Sequence, residues 1–138
     1  MKVWRAGDAV EMPWRNGGGS TREYARHPES GDFDWRLSVA RVEVDGPFST
    51  FPGIDRLLVL LSGAGMDLHV DGAVVPLRPP LQHHAFQGEA SVTATLVDGP
   101  TTDLNLMWRR DRWTGECSRH DGPARVDASV VVAYVVSG

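Results

Sequence analysis

The side chains best suited to chemistry gather in three stretches of this 138-residue chain. The first, Met12-Pro-Trp-Arg-Asn-Gly-Gly-Gly-Ser-Thr-Arg-Glu-Tyr24, sets three consecutive glycines among groups that can contact a ligand. Trp14 offers a stacking surface, Arg15 and Arg22 two cations, and Asn16 and Thr21 hydrogen-bonding groups. The glycines let the backbone approach a ligand or a neighbouring strand closely. This is not a phosphate loop, since no Gly-Lys-Ser/Thr follows, and Arg22 stands where a dinucleotide fingerprint has its third glycine. The structural alternative is a flexible edge or a bulged strand.

The second stretch is Phe33-Asp-Trp-Arg-Leu-Ser38, followed by Phe48–Arg56. Strand alternation puts Trp35, Leu37 and Val39 on one face and Arg36, Ser38 and Ala40 on the other. From that strand alone, solvent rather than a lumen is expected for Arg36 and Ser38. Arg56 stands at the mouth of the apolar run Leu57–Ser62. In the third stretch, Asp103-Leu-Asn-Leu-Met-Trp-Arg-Arg110, Asp103, Asn105 and Met107 fall on one face. Asparagine is depleted in sheets, and a buried one must hydrogen-bond to protein or ligand.

Metal and nucleophile chemistries find less support. His83 and His84 are adjacent, so a strand points them to opposite faces, and no His-x-His pair or carboxylate at ligand spacing accompanies His27, His69 or His120. Cys117 lies in a loop-like context and reads as an ordinary thiol. No cofactor is expected.

The elements that must position these groups are short. Gly and Pro together supply 24 residues, spread along the chain, which leaves little room for long helices. Strands are expected at Trp35–Val44, Leu57–Ser62, Met66–Val70, Ala73–Leu77, Ser91–Val97, Leu104–Arg110 and the valine-rich Val130–Ser137. Asp71-Gly72 between two of them is a strong hairpin signal. The fold class is therefore all-β, a sandwich or barrel. Asp-Gly-Pro recurs at residues 45–47, 98–100 and 121–123, read as a favoured turn ahead of an internal duplication.

Composition sets the outer limits. A net charge of -4 argues against nucleic acid. One cysteine rules out an intrachain disulfide framework. No apolar run approaches the ~20 residues of a membrane helix, and the N-terminus lacks a signal-peptide core. A cytoplasmic protein without membrane association is expected. Arginine supplies all the basic residues except Lys2, which suits bidentate carboxylate contact but also fits a codon bias.

Five blocks resemble the HutD/Ves family in its order: Pro13–Glu23, Phe33–Ser38, Asp45–Arg56, Phe86-Gln-Gly88 and Asp103–Arg109. The resemblance implies a cupin-like β-barrel or jelly roll, in a family built as two barrels. Residues 1–138 would form a single cupin-like unit, with about 124–138 resembling the start of a shortened second barrel. An exposed strand edge there would be covered by a second copy, making a homodimer, or by the N-terminal strands. The resemblance also implies a link to bacterial histidine utilisation, with urocanate, formylglutamate or formate as candidate ligands.

The leading expectation is a regulatory protein that binds a small anionic metabolite without chemistry of its own. Arg36 and Arg56 would clamp the carboxylate, Ser38 and Asn105 orient it, and Trp14, Arg15, Asn16 and Thr21 close the rim. The alternatives are a metal-free enzyme using Glu23 or Asp103 as proton shuttle, and a non-catalytic interaction module whose polar faces are merely solvated.

Overall fold

Asp71 (φ 48°) and Gly72 (φ 87°) close a two-residue turn with both residues at positive φ. That is the geometry whose twist matches paired strands, and it explains why Asp-Gly marks the hairpin. The flanking strands, β6 (Met66–Val70) and β7 (Ala73–Leu77), have the bounds expected from the sequence and pair Val70 with Ala73. In the computed structural model, which describes residues 3–136, the remaining strands are β1 (Glu11–Pro13), β2 (Gly19–His27), β3 (Trp35–Val42), β4 (Gly46–Pro47), β5 (Ile54–Ser62), β8 (His83–Gln87), β9 (Val92–Leu96) and β10 (Thr101–Arg109). A six-stranded sheet runs β1-β2-β3-β10-β5-β8, and a four-stranded sheet runs β4-β9-β6-β7. Every pairing is antiparallel. Pro76 is tolerated in β7 because that strand is an edge.

The two sheets meet over a core of Leu58 and Leu60 from β5 against Met66, Leu68, Leu77, Val92 and Ala94 of the smaller sheet. The opposite face of the large sheet is also apolar. Leu57, Val59 and Trp108 cluster there with Trp35, Leu81, Leu104, Leu106 and Trp113. The chain after β10 crosses this face, since a Cβ built on Gly115 would lie 2.5 Å from the Trp108 ring. Central strand β10 thus turns hydrophobic residues to the outer face and Thr101, Asp103, Asn105 and Met107 inward.

Three expectations change. Gly19–His27 is a nine-residue strand that does carry a bulge, its register shifting between Glu23 and Ala25, but it extends well beyond the glycines. His83–Gln87 is also a strand, joined to the hairpin through a turn containing the cis Pro79-Pro80 bond. The valine run forms no strand over residues 130–136; Ser137 and Gly138 lie outside the described residues. Valine favours strands by propensity, but a strand needs a neighbour to pair with, and Val130, Val131, Val135 and Val136 are exposed. No helix among the described residues is long and apolar enough to cross a membrane.

Candidate functional site

The register of the large sheet arranges its inward side chains in three rows. Arg36, Met107 and Arg56 form the first; Ser38, Asn105 and Leu58 the second; Ala40, Asp103 and Leu60 the third. Successive rows stand about 6.7 Å apart, two residues along a strand. Strand β2 extends them with Glu23 opposite Ser38 and Thr21 opposite Ala40, and β8 sets Phe86 opposite Arg56 and His84 opposite Leu58. The sequence thus paired the right residues on each face but misjudged which face is inside. Ser38 is 1% exposed, and Arg36 is largely covered. The reason is that both faces of this sheet are packed, so apolar Trp35, Leu37 and Val39 can occupy the outer layer.

Arg56 is the central cation. Burial pushes its guanidinium down to about 10; Asp103 opposes that shift and Arg36 adds to it. Three rings surround it: Phe51 and Phe86 at 5.2 Å and Phe48 at 5.8 Å from the guanidinium carbon. Such contacts favour a desolvated cation. Nη1 donates to the Ser49 carbonyl at 3.3 Å, whereas Nε is buried without a partner. The loop carrying Phe48 and Phe51 is tied at several points. Phe48 N donates to Val92 O (2.9 Å), Phe51 N to Gly88 O (2.7 Å), and Gly53 N to Glu89 Oε2 (2.9 Å). Arg110 anchors the same corner through Asp55 (2.9 Å), Glu89 and the Ile54 carbonyl. Gly88 permits this approach, because a Cβ there would meet the carbonyls of Phe51 and Ile54.

Asp103 is the counterpart. It is 1% exposed, and burial pushes its carboxyl up to about 7, with the positive charge of Arg56 opposing. Both carboxylate oxygens lack a hydrogen-bond partner, as do Ser38 Oγ and Asn105 Oδ1. With Arg56 Nε, five buried polar atoms on one face are therefore unsatisfied by the described residues. Each such atom costs about 1–3 kcal/mol if left unmatched, so their convergence calls for a polar guest.

The expected residues divide into two groups. Arg36, Ser38, Arg56 and Asn105 share the inward face. Arg36 is not a free cation, however, since its Nε donates to Glu23 Oε1 at 2.7 Å. Trp14 and Thr21 flank that face: Trp14 Nε1 donates to Thr21 Oγ1 (2.8 Å), and the indole meets Phe48 edge-on at 6.0 Å. Arg15 and Asn16 are exposed in the β1–β2 turn, where Asn16 Oδ1 accepts from Gly18 N at 2.8 Å and so shapes the turn. Asp103 entered the sequence reading only as a proton shuttle in the enzyme alternative, and Phe48, Phe51 and Phe86 were given no ligand contact. The signal for Phe48 and Phe51 was their clustering before Arg56. Two shallow surface recesses, about 270 and 290 Å³, lie around Arg109, the second also reaching Phe51. Arg109 there is close to Asp34 (3.8 Å), and none of the buried unmatched atoms belongs to a residue lining them.

A family model described as HutD matches residues 6–138. An uncharacterised 21.2 kDa protein from the hutC 3′ region of Pseudomonas putida is 41% identical over 143 residues, covering 99% of this chain and 74% of its own. Protein Ves of Cronobacter sakazakii is 40% identical, over 95% of this chain and 75% of its own. Among solved structures, HutD from Pseudomonas fluorescens SBW25, determined in a formate condition, superposes with TM-score 0.74 at 47% identity, covering 78% of this chain and 59% of that one. The chain thus spans less than two-thirds of this solved relative. A cupin domain from an XRE family transcriptional regulator of Enterobacter cloacae, 15% identical, superposes with TM-score 0.55 over 66% of this chain and 96% of its own, a likeness of fold.

Proposed function

The chain belongs to the HutD family, and from that premise we propose that its inward polar face binds a small carboxylate and that the protein acts as a regulatory element in histidine utilisation. One observation carries the reading: buried Arg56, Asp103, Asn105 and Ser38 converge with five unsatisfied atoms. An anion would neutralise Arg56, and its oxygens would accept from Arg56 Nε and the Ser38 hydroxyl, while the unmatched oxygens of Asn105 and Asp103 call for a donor, such as an N–H of the ligand. The rings of Phe48, Phe51 and Phe86 exclude water and strengthen the interaction. Urocanate, formylglutamate and formate are the candidate ligands, consistent with the hut-region relative and with the formate condition of the solved one. A thermal-melt screen of the purified protein against these acids tests the proposal. A ligand-dependent rise in Tm is expected, because binding to the folded state adds stability; unchanged melting with all three would remove it.

A second reading rests on Asp103, whose carboxyl is raised to about 7. A group titrating there suits general acid–base work, so catalysis on a small organic acid is the alternative. Incubating the protein with urocanate or formylglutamate and following absorbance or NMR separates the two; turnover would favour the enzyme. The two-barrel architecture implied by the family, with residues from about 124 onward as the start of a second barrel, is likewise a proposal.

A further inference from the structure

The proposed binding face holds an acid that its anionic ligand should repel. On the six-stranded sheet, the ionisable side chains turned toward Asp103 are Arg56 from β5, Arg36 from β3, Glu23 from β2 and His84 from β8. The facing sheet contributes Met66, Leu68 and Ala94, which carry no charge. Glu23 is bonded to Arg36 at 2.7 Å, so these two balance each other. That leaves Arg56 and Asp103. If both are ionised, the face is already neutral before a ligand arrives, and a carboxylate would add an unmatched negative charge to a buried region. It would also stand near a second carboxylate, and like charges at close range favour protonation of one of them.

We propose that Asp103 serves the site as a neutral carboxylic acid that donates its O–H to the ligand's carboxylate, so that a proton is taken up on binding wherever Asp103 is otherwise ionised. The inference rests on the carboxylate-binding reading above. Its geometric support is independent of titration: Asp103 is almost fully buried and neither of its carboxyl oxygens has a hydrogen-bond partner. A ligand oxygen beside it meets an acid able to donate rather than a repelling anion. Asp103 thereby becomes a specificity residue, favouring acceptors that match an O–H donor.

Formate is a suitable probe, since it stays ionised near neutrality. Calorimetric titration of the full chain should show affinity falling roughly tenfold between pH 6 and pH 8, as the fraction of Asp103 already protonated falls. The heat should depend on the buffer's own protonation enthalpy, with proton uptake per formate rising over the same range. Asp103→Asn keeps a donor of similar shape and should bind formate without this pH dependence. Because an imidazole titrates in the same range, His84→Gln serves as control and should retain the wild-type pH dependence. Formate binding that is pH-independent in the wild type, with no buffer-dependent heat, would overturn the inference and leave carboxylate binding intact. So would pH dependence that survives in Asp103→Asn or disappears in His84→Gln. Absence of formate binding at both pH values would overturn the inference by removing the formate site on which it depends. Should Asp103→Asn fail to fold, buffer-dependent proton uptake by the wild type decides the matter.

Discussion

Arg56 and Asp103 face the same interior from adjacent strands, each shifting the other's proton affinity, yet Asp103 accepts no hydrogen bond from Arg56. An internal ion pair with good geometry would offset part of the burial cost of both groups. Here that offset is incomplete, and the consequences are measurable.

The first concerns stability and pH. Burial raises the Asp103 carboxyl to about 7 from an ordinary 3.8, so the folded state holds this proton more tightly than the unfolded state. Its favourable contribution is therefore fully present below about pH 4 and is lost as pH rises to about 7. Three pH units at about 1.4 kcal/mol each set an upper limit near ~4 kcal/mol. Asp103→Asn should thus be more stable than wild type at pH 8 and show less than half that gain at pH 5. Urea unfolding at both pH values measures this. Glu89 has the opposite sign: Arg110 and the Gly53 N–H hold it down to about 2, so its contribution is lost only as pH falls toward that value. The pH 5–8 window therefore separates Asp103 from Glu89.

Arg36 should matter less to binding than Arg56. Its charge is engaged by Glu23, and Arg36→Met leaves that carboxylate partly exposed to water. A loss of under about tenfold in affinity is expected, below the ~2–5 kcal/mol typical of a lost buried charge partner. Titration of this variant with formate, urocanate and formylglutamate measures the loss; a thirtyfold loss would make Arg36 a direct ligand contact.

The glycine segment has separable roles. A Cβ on Gly19 would run into the Arg41 carbonyl oxygen and stand 3.0 Å from the Trp14 ring, so Gly19→Ala must move backbone. It should cost about 1–3 kcal/mol, in line with overpacking elsewhere. Gly17 has φ +73° but open space around it, so Gly17→Ala carries only the conformational cost, about 1–2 kcal/mol. Denaturation midpoints compare the two, and Trp14 fluorescence should change more in Gly19→Ala.

The Trp14–Thr21 bond gives a local test of the rim. Thr21→Val removes the acceptor for the indole N–H and should cost about 1–2 kcal/mol, with little change in volume. Equal melting temperatures would mean that water replaces the hydroxyl without penalty.

What the sequence disclosed depended on whether the deciding physics was local. Asp71-Gly72 specifies its hairpin through positive φ, and the strand bounds on either side follow. The alternation in residues 103–107 likewise identified the Asn105 face. Alternation could not say which face is interior, because the large sheet packs on both sides, and from their own strand alone Arg36 and Ser38 read as solvent-facing. The run Val130–Val136 misled in the other direction, since propensity without a pairing strand leaves it irregular. The raised proton affinity of Asp103 was not legible, because it comes from burial by strands distant in sequence. Of the expected rim residues, Asn16 shapes its own turn, a local bond that composition could not distinguish from a ligand contact.

The central claim is that Arg56 anchors a small carboxylate on this inward face. Isothermal titration of wild type and Arg56→Met with formate, urocanate and formylglutamate at pH 6 tests it most directly. Saturable binding of at least one acid to wild type is predicted, weakened thirtyfold or more in Arg56→Met, equivalent to about 2 kcal/mol. Equal affinity in a folded Arg56→Met variant, or no binding of any of the three acids to wild type, would contradict it.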